Sequence, residues 1–162
     1  LTKNLPDVFR NPTDIRARSA VQLGAAWAGL AIENAMLGAA HGAANPLTAR
    51  YKVAHGQAVG LMLPHIIRFN GKVAQAQYVE LAAIAGLSTD VPDASLADWI
   101  HTLLKMTGLY QSLGDVIGTH TETNEIERLA QEASMQWTSS FNPRPCSSAD
   151  FIDLYQRASA KA

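Results

Sequence analysis

The sequence predicts an all-α protein, a single helical bundle that spans residues 1–162. Three observations predict this class. Apolar residues recur at helical spacing, most clearly at Leu96, Trp99, Ile100, Leu103 and Leu104. Glycines that can end helices follow apolar stretches, as at Gly86 and Gly108. No stretch alternates apolar and polar residues as a half-buried strand does, so a β-sheet is not expected.

The helices can be placed from their start and stop signals. Asn11-Pro12-Thr13-Asp14 is a typical helix start, and the run that follows is apolar nearly all round, which predicts a central bundle helix from about Pro12 to near His41. A second helix is expected from His55 onward, with Pro64 inside or at its end. The remaining helices are predicted over residues 74–85, 96–107, 123–138 and 148–159.

Composition bounds the class of protein and its partners. A chain of 162 residues fits one compact domain. Its net charge of −1 lacks the excess positive charge that is typical of nucleic-acid-binding domains. The single cysteine, Cys146, suits a reducing, cytoplasmic setting and is expected to be a loop residue, not a nucleophile. The start lacks the apolar core of a signal peptide. The apolar run over residues 20–44 is built mainly from Ala and Gly, has few large aliphatic residues and contains Glu33, Asn34 and His41, so no membrane association is expected.

Two histidines stand at the centre of the chain, fourteen positions apart. His41 and His55 are each followed by glycine, and Asn45-Pro46 between them is expected to break the helix, because proline lacks an amide proton. His55 would then begin a helix, where the macrodipole disfavours the imidazolium and leaves a nitrogen lone pair free for a metal. His41 would lie in the last turns of the preceding helix, with the opposite bias.

Spacing alone leaves two interpretations open. A catalytic zinc or non-haem iron takes three or more protein ligands, so two histidines are half of a site. The alternative is a pair of buried, hydrogen-bonded histidines in the core. Asn34, seven residues before His41, would share its helix face and either orient a water near the site or bond to a neighbouring helix.

The residues around the two histidines favour the interpretation that they bind a metal. The segment AAHGAANPLTARYKVAHGQAVGLMLPHIIRFN resembles the metal-binding segment of the iron-dependent, group III alcohol dehydrogenases. The register matches at His41, His55-Gly56, Leu63-Pro64-His65 and Arg68-Phe69-Asn70, and again at Asn142-Pro143-Arg144. The resemblance covers nearly the whole chain. It implies the C-terminal helical domain of such an enzyme, with His41 and His55 as metal ligands, iron (or zinc) as the metal, and NAD or NADP as the cosubstrate.

The resemblance also implies parts that this chain does not contain. Family members have a nucleotide-binding domain, followed by an Asp and a His four residues apart that complete the metal site. No histidine precedes His41, so we expect the chain to be the later part of a larger enzyme and to be inactive alone. Where many members carry another histidine in the catalytic pocket, this chain has Asn45, which can orient a hydroxyl but cannot shuttle a proton. The alternative is that Asn45 is a turn residue before Pro46.

The expected function is hydride transfer between a small alcohol or carbonyl substrate and NAD(P), in a cytoplasmic homo-oligomer. Related chemistry on glycerol, other polyols or unsaturated keto acids keeps the same fold, and Asn45 is the residue expected to distinguish these substrates. The alternative is a non-enzymatic helical module, or a truncated relative, in which the histidines serve packing.

Overall fold

A computed structural model describes residues 1–118 and 123–159 of the chain. Every regular element in these ranges is helical, which confirms the predicted all-α class. No helix in this described part combines the length and apolar character needed to cross a bilayer. The α-helices are α1 (Leu5–Arg10), α2 (Ile15–Ala35), α3 (Ala39–Tyr51), α4 (His55–Asn70), α5 (Gln75–Ala85), α6 (Pro92–Met106), α7 (Leu113–Ile117), α8 (Thr123–Ser134) and α9 (Ser148–Ser159), and a 3₁₀ helix spans Trp137–Phe141 between α8 and α9.

The chain divides into two compact units, Leu1–Met36 and Leu37–Ala162. The first unit holds α1 and α2. Asp14 caps α2 as its start signal predicts, since its carboxylate accepts hydrogen bonds from the amides of Arg16 and Ala17.

The interpretation of α2 as a buried central helix is wrong. Within the range of α2, Ala17 alone is buried, and large apolar side chains such as Trp27 (66% exposed) and Leu23 (60%) face outward. An Ala- and Gly-rich run has no distinct apolar face, so its composition does not tell which side is covered. Asn34 is exposed as well and donates to the carbonyl of Leu30 in its own helix, so neither role proposed for it is seen.

The core of the second unit lies between α3, α4, α8 and α9. Small residues on α3 let its neighbours approach closely, and large side chains of α9 fill the space that remains. Tyr155 of α9 is fully buried, and its hydroxyl donates a 2.7 Å hydrogen bond to the carbonyl of Ala43 in α3. Among the described residues, the other largest side chains that are almost fully buried are Phe151, Leu47, Met62, Leu113, Leu129, Leu154 and Pro64.

The helix break predicted at Asn45-Pro46 is wrong, and the real break comes earlier. The helix ends at Ala35, because Met36 takes a positive φ of 60°, and a new helix begins at Ala39 after Gly38. This helix, α3, continues through Pro46, which is buried inside it. An internal proline costs about 3 kcal/mol, and the burial of α3 residues on both sides of Pro46 offsets that cost.

Several predicted boundaries are confirmed. Helix α4 begins at His55 and contains Pro64, α5 ends at Gly86 with the left-handed conformation expected of a glycine cap, and α9 spans Ser148–Ser159. Helix α6 begins at Pro92, earlier than expected, because proline is accepted in a first turn. The helix predicted over 123–138 is α8, and its last residues form the separate 3₁₀ helix.

Candidate metal centre

One face of α3 carries the polar residues of the candidate site. His41, Asn45 and Thr48 are four and then three residues apart, so they lie one above another on the same side of the helix. The opposite side of α3 is buried in the core, which fixes the direction of this polar face. Because α3 runs unbroken through Pro46, Thr48 belongs to the same helix as His41 and Asn45.

The second histidine reaches this face from α4. His55 is the first residue of α4, and its ring centroid lies 5.4 Å from that of His41, with the ring planes tilted by 47°. The Thr48 hydroxyl lies 3.4 Å from His55 Nδ1. In the tautomer in which Nδ1–H donates to the Thr48 hydroxyl, this hydrogen bond fixes the orientation of the ring and leaves the Nε2 lone pair free.

Both histidines lie at helix starts, which corrects the prediction for His41. His41 is the third residue of α3, so the positive end of the helix macrodipole is near it and the expected bias toward the imidazolium is reversed. Partial burial, and then the neighbouring His55, lower the pKa of His41 from its ordinary value. The neutral imidazole, which is the form that binds a metal, is therefore favoured.

A buried asparagine pair anchors the start of α3. Gly38 precedes α3 without a side-chain cap, and the Asn142 Oδ1 atom instead accepts the amide of Ala39 at 3.3 Å. The Asn142 side chain also exchanges two hydrogen bonds with that of Asn70 at the end of α4, at 2.7 and 3.1 Å. Asn142 thus joins the beginning of the helix that carries His41 to the end of the helix that carries His55.

An open cavity of about 400 Å³ lies beside α3, and neither His41 nor His55 is among its lining residues. Asn45 and Thr48 line it from α3, and Glu132, Met135 and Gln136 line it from α8 and the segment that follows. The Asn45 Nδ2 atom donates a 2.8 Å hydrogen bond to Gln136 Oε1. The Glu132 carboxylate is held by Arg50, whose hydrogen bonds lower its pKa.

The other candidate residues lie away from this centre. Burial, then His101 and nearby arginines, lower the pKa of His65 to about 4, and its ring lies 6.4 Å from that of His101. Arg144 donates a 3.1 Å hydrogen bond to the Phe69 carbonyl, which is a structural contact. Burial raises the pKa of the Cys146 thiol to about 12, so it does not form a thiolate at neutral pH. His120 lies outside the described residues.

The two imidazoles fit a metal ion as half of its ligand set. Rings that share one ion through nitrogens about 2.1 Å from it, at a near-tetrahedral angle, have centroids roughly 5 Å apart, which agrees with the separation of His41 and His55. In the part of the chain that the structure describes, no group of three or more His, Cys, Asp or Glu side chains could hold a metal.

Sequence reasoning missed Thr48 and Gln136. The Thr48 signal was available, because Thr48 follows His41 by seven residues and would have shared its face on an unbroken helix. The wrongly placed break at Pro46 concealed it. Gln136 carried no local signal, since it approaches Asn45 from a distance of 91 residues along the chain.

Comparisons with known proteins agree on one family. The family model described as Fe-containing alcohol dehydrogenase family, C-terminal, matches residues 1–159. The chain is 31% identical to lactaldehyde reductase of Escherichia coli (strain K12) over 150 residues, which are 90% of this chain and 38% of that protein. It therefore spans about two fifths of the length of the curated relatives that it matches.

Solved structures give the same result. A crystal structure of 1,3-propanediol oxidoreductase superposes with a TM-score of 0.86 at 25% identity, over 97% of this chain and 42% of the other. An alcohol dehydrogenase from Oenococcus oeni superposes with a TM-score of 0.85 at 25% identity, over the same shares of the two chains.

Proposed function

Because this chain belongs to the iron-containing alcohol dehydrogenase family and matches its C-terminal domain, we propose that it is the helical catalytic domain of a metal-dependent alcohol dehydrogenase. In this proposal His41 and His55 are metal ligands and Asn45 is a catalytic-pocket residue. The reaction is hydride transfer between a small alcohol or carbonyl compound and NAD or NADP. The whole enzyme would be a cytoplasmic homo-oligomer.

The observation that supports this most directly is the convergence of two imidazoles from two helices. Their centroids are 5.4 Å apart, and Thr48 next to His55 Nδ1 leaves the Nε2 atom of His55 for a ligand. A pair of histidines that served packing alone would be expected inside the core, whereas His55 is exposed and His41 is half-buried.

Each residue of the centre has a distinct task. His41 and His55 hold the ion, and Thr48 keeps the His55 ring in its orientation. A divalent ion, iron or alternatively zinc, would supply Lewis-acid chemistry that lowers the pKa of an alcohol group. Asn45 offers an amide that can orient a substrate hydroxyl but cannot carry a proton, so proton release must use water or another group.

The proposal assigns further parts to sequence beyond these 162 residues. The remaining metal ligands and most of the nucleotide-binding surface would come from a longer chain, of which this part corresponds to about 38% in the relatives. The isolated 162 residues are therefore expected to bind a metal weakly and to show no dehydrogenase activity.

The test is metal content and NAD(P)-linked alcohol oxidation by the full-length protein that the gene encodes. His41→Ala and His55→Ala should each remove most of the bound metal and the activity. His101→Ala is the matched control, because His101 lies near His65, outside this centre, and should leave both unchanged. Full metal content in either of the first two variants would contradict the assignment of that residue as a ligand.

The alternative is a non-enzymatic helical module with structural histidines. It is favoured by one observation, the lack of a third ligand near the pair within residues 1–118 and 123–159. The same experiment separates the two proposals, since a module would purify without stoichiometric metal and would not reduce NAD(P) with any alcohol.

A further inference from the structure

The hydrogen bond between Asn45 and Gln136 determines which polar atoms face the cavity. The Asn45 Nδ2 atom donates to Gln136 Oε1 at 2.8 Å. Within the described part of the chain, neither Asn45 Oδ1 nor Gln136 Nε2 takes part in another side-chain hydrogen bond. The bond therefore leaves one acceptor atom, Asn45 Oδ1, and one donor atom, Gln136 Nε2, without a side-chain partner on residues that line the same cavity. The second hydrogen of Asn45 Nδ2 and the second lone pair of Gln136 Oε1 also remain available.

One free acceptor beside one free donor is complementary to a hydroxyl group. A hydroxyl accepts through its oxygen and donates through its hydrogen, so it can bond to Gln136 Nε2 and Asn45 Oδ1 together. An alkyl chain offers neither bond, and it would leave Asn45 Oδ1 and Gln136 Nε2 without partners when it displaces water. The pair thus distinguishes a hydroxyl from a methyl group at this position.

The pair lies at a suitable distance from the reacting position. Asn45 is four residues beyond His41 on α3, and a helix rises about 1.5 Å per residue, so the two lie about 6 Å apart along the axis. Thr48 both contacts His55 and lines the cavity, which connects the cavity to the histidine pair. A substrate whose reacting hydroxyl lies at the histidines would extend its next carbons toward the two amides.

The rest of the cavity wall suits a short chain. Pro46, Ala49 and Met135 supply apolar surface, and the charge of Glu132 is balanced by Arg50. No unpaired cation among the lining residues would attract a carboxylate or a phosphate. The lining thus favours an uncharged substrate with a second polar group.

We propose that Asn45 and Gln136 together bind a second hydroxyl of the substrate, and that Gln136 is a specificity-determining residue for short diols and hydroxyaldehydes. This inference rests on the proposed function, because it places the reacting hydroxyl at the His41–His55 pair. Gln136 acts in two ways, by binding the substrate and by holding the Asn45 amide in the orientation that exposes Oδ1.

The test compares two substrates that differ by one hydroxyl, propane-1,2-diol and propan-1-ol, on the full-length protein. Gln136→Met keeps the length of the side chain and removes both hydrogen-bonding atoms. We expect it to lower kcat/KM for propane-1,2-diol about tenfold, mainly through KM, since each neutral hydrogen bond contributes a few-fold to about tenfold. The value for propan-1-ol should stay within about twofold.

Met135→Ala is the matched control, because Met135 lines the same cavity without a hydrogen-bonding role. It should affect the two substrates equally. If Gln136→Met does not fold, Gln136→Glu replaces it: the carboxylate still accepts from Asn45 Nδ2 but lacks the donor, so the same selective loss of the diol is expected.

Two outcomes would overturn the inference and are distinguishable. If wild-type protein oxidises both substrates but Gln136→Met changes both to the same extent, or neither, the pair does not read the second hydroxyl. If metal-loaded wild-type protein oxidises no alcohol with either nucleotide, the proposed function itself fails, and this inference fails with it.

Discussion

Truncation of Asn142 should loosen the helix that carries His41. The Asn142 side chain makes hydrogen bonds to the Ala39 amide, to both polar atoms of the Asn70 side chain, and to the Arg144 carbonyl. Asn142 and Asn70 are 8% and 4% exposed, so water does not readily replace these bonds. Asn142→Ala removes hydrogen bonds that each contribute about 1 kcal/mol net, and it leaves the buried Asn70 side-chain amide without its partner. The expected loss in the free energy of unfolding is about 3–5 kcal/mol.

The assay is urea denaturation of the 162-residue chain, with hydrogen exchange at the amides of Ala39 and His41. Asn142→Ala should lower the unfolding midpoint strongly and speed exchange in the first turn of α3. Ser140→Ala is the control, because it removes an exposed hydrogen bond to the Trp137 carbonyl in the same segment and should cost less than about 0.5 kcal/mol.

If the free energy of unfolding of Asn142→Ala were within about 1 kcal/mol of the wild-type value, this reasoning would be refuted. Such a result would mean that the carbonyls and amides around Asn142 find other partners after truncation. The link between the start of α3 and the end of α4 would then not depend on the Asn142 side chain.

The remaining predictions concern packing, pH and metal affinity. Gly42→Ala would place a Cβ atom 1.9 Å from Ser139 Oγ, so it should destabilise by about 1–3 kcal/mol in urea unfolding, and adding Ser139→Ala should recover part of that loss. The pKa of His65 is lowered to about 4 by burial, so the folded state binds fewer protons than the unfolded state between about pH 4 and 6.5, and stability falls as the pH falls through that window. Between pH 7 and pH 5 wild type should lose about 2 kcal/mol more than His65→Gln, and equal losses would contradict this. Thr48→Val should lower metal affinity about tenfold in a chelator competition assay, while Thr48→Ser retains it; equal affinity in Thr48→Val would show that the contact with His55 does not orient the ring.

Much of the fold followed from local chemistry. The capping carboxylate at Asp14, the start of α4 at His55, the left-handed glycine at Gly86 and the span of α9 all depend on a few neighbouring residues. The failures came where tertiary packing outweighed local preference. Pro46 is a helix breaker in isolation, yet α3 continues through it because its neighbours are buried in the core.

The break at Met36 shows the reverse case. Neither Met36 nor Leu37 is a breaking residue, but Met36 adopts a positive φ and the Asn142 amide bonds to the first turn of the next helix. A partner 103 residues away along the chain supplies that bond, so no local pattern could indicate it. The prediction therefore placed His41 at the end of a helix, whereas the structure places it at the start of one, where the electrostatic bias is the opposite.

The sequence by itself determined the class of this protein, its family and the two histidines most worth attention, because helix signals and a motif of fixed spacing are local properties of the chain. The tertiary structure alone decided that the two rings meet 5.4 Å apart, that Thr48 touches one of them, and that Gln136 faces Asn45. These contacts join different parts of the fold, and their geometry depends on how those parts pack together. The spacing of residues along the chain does not determine that packing.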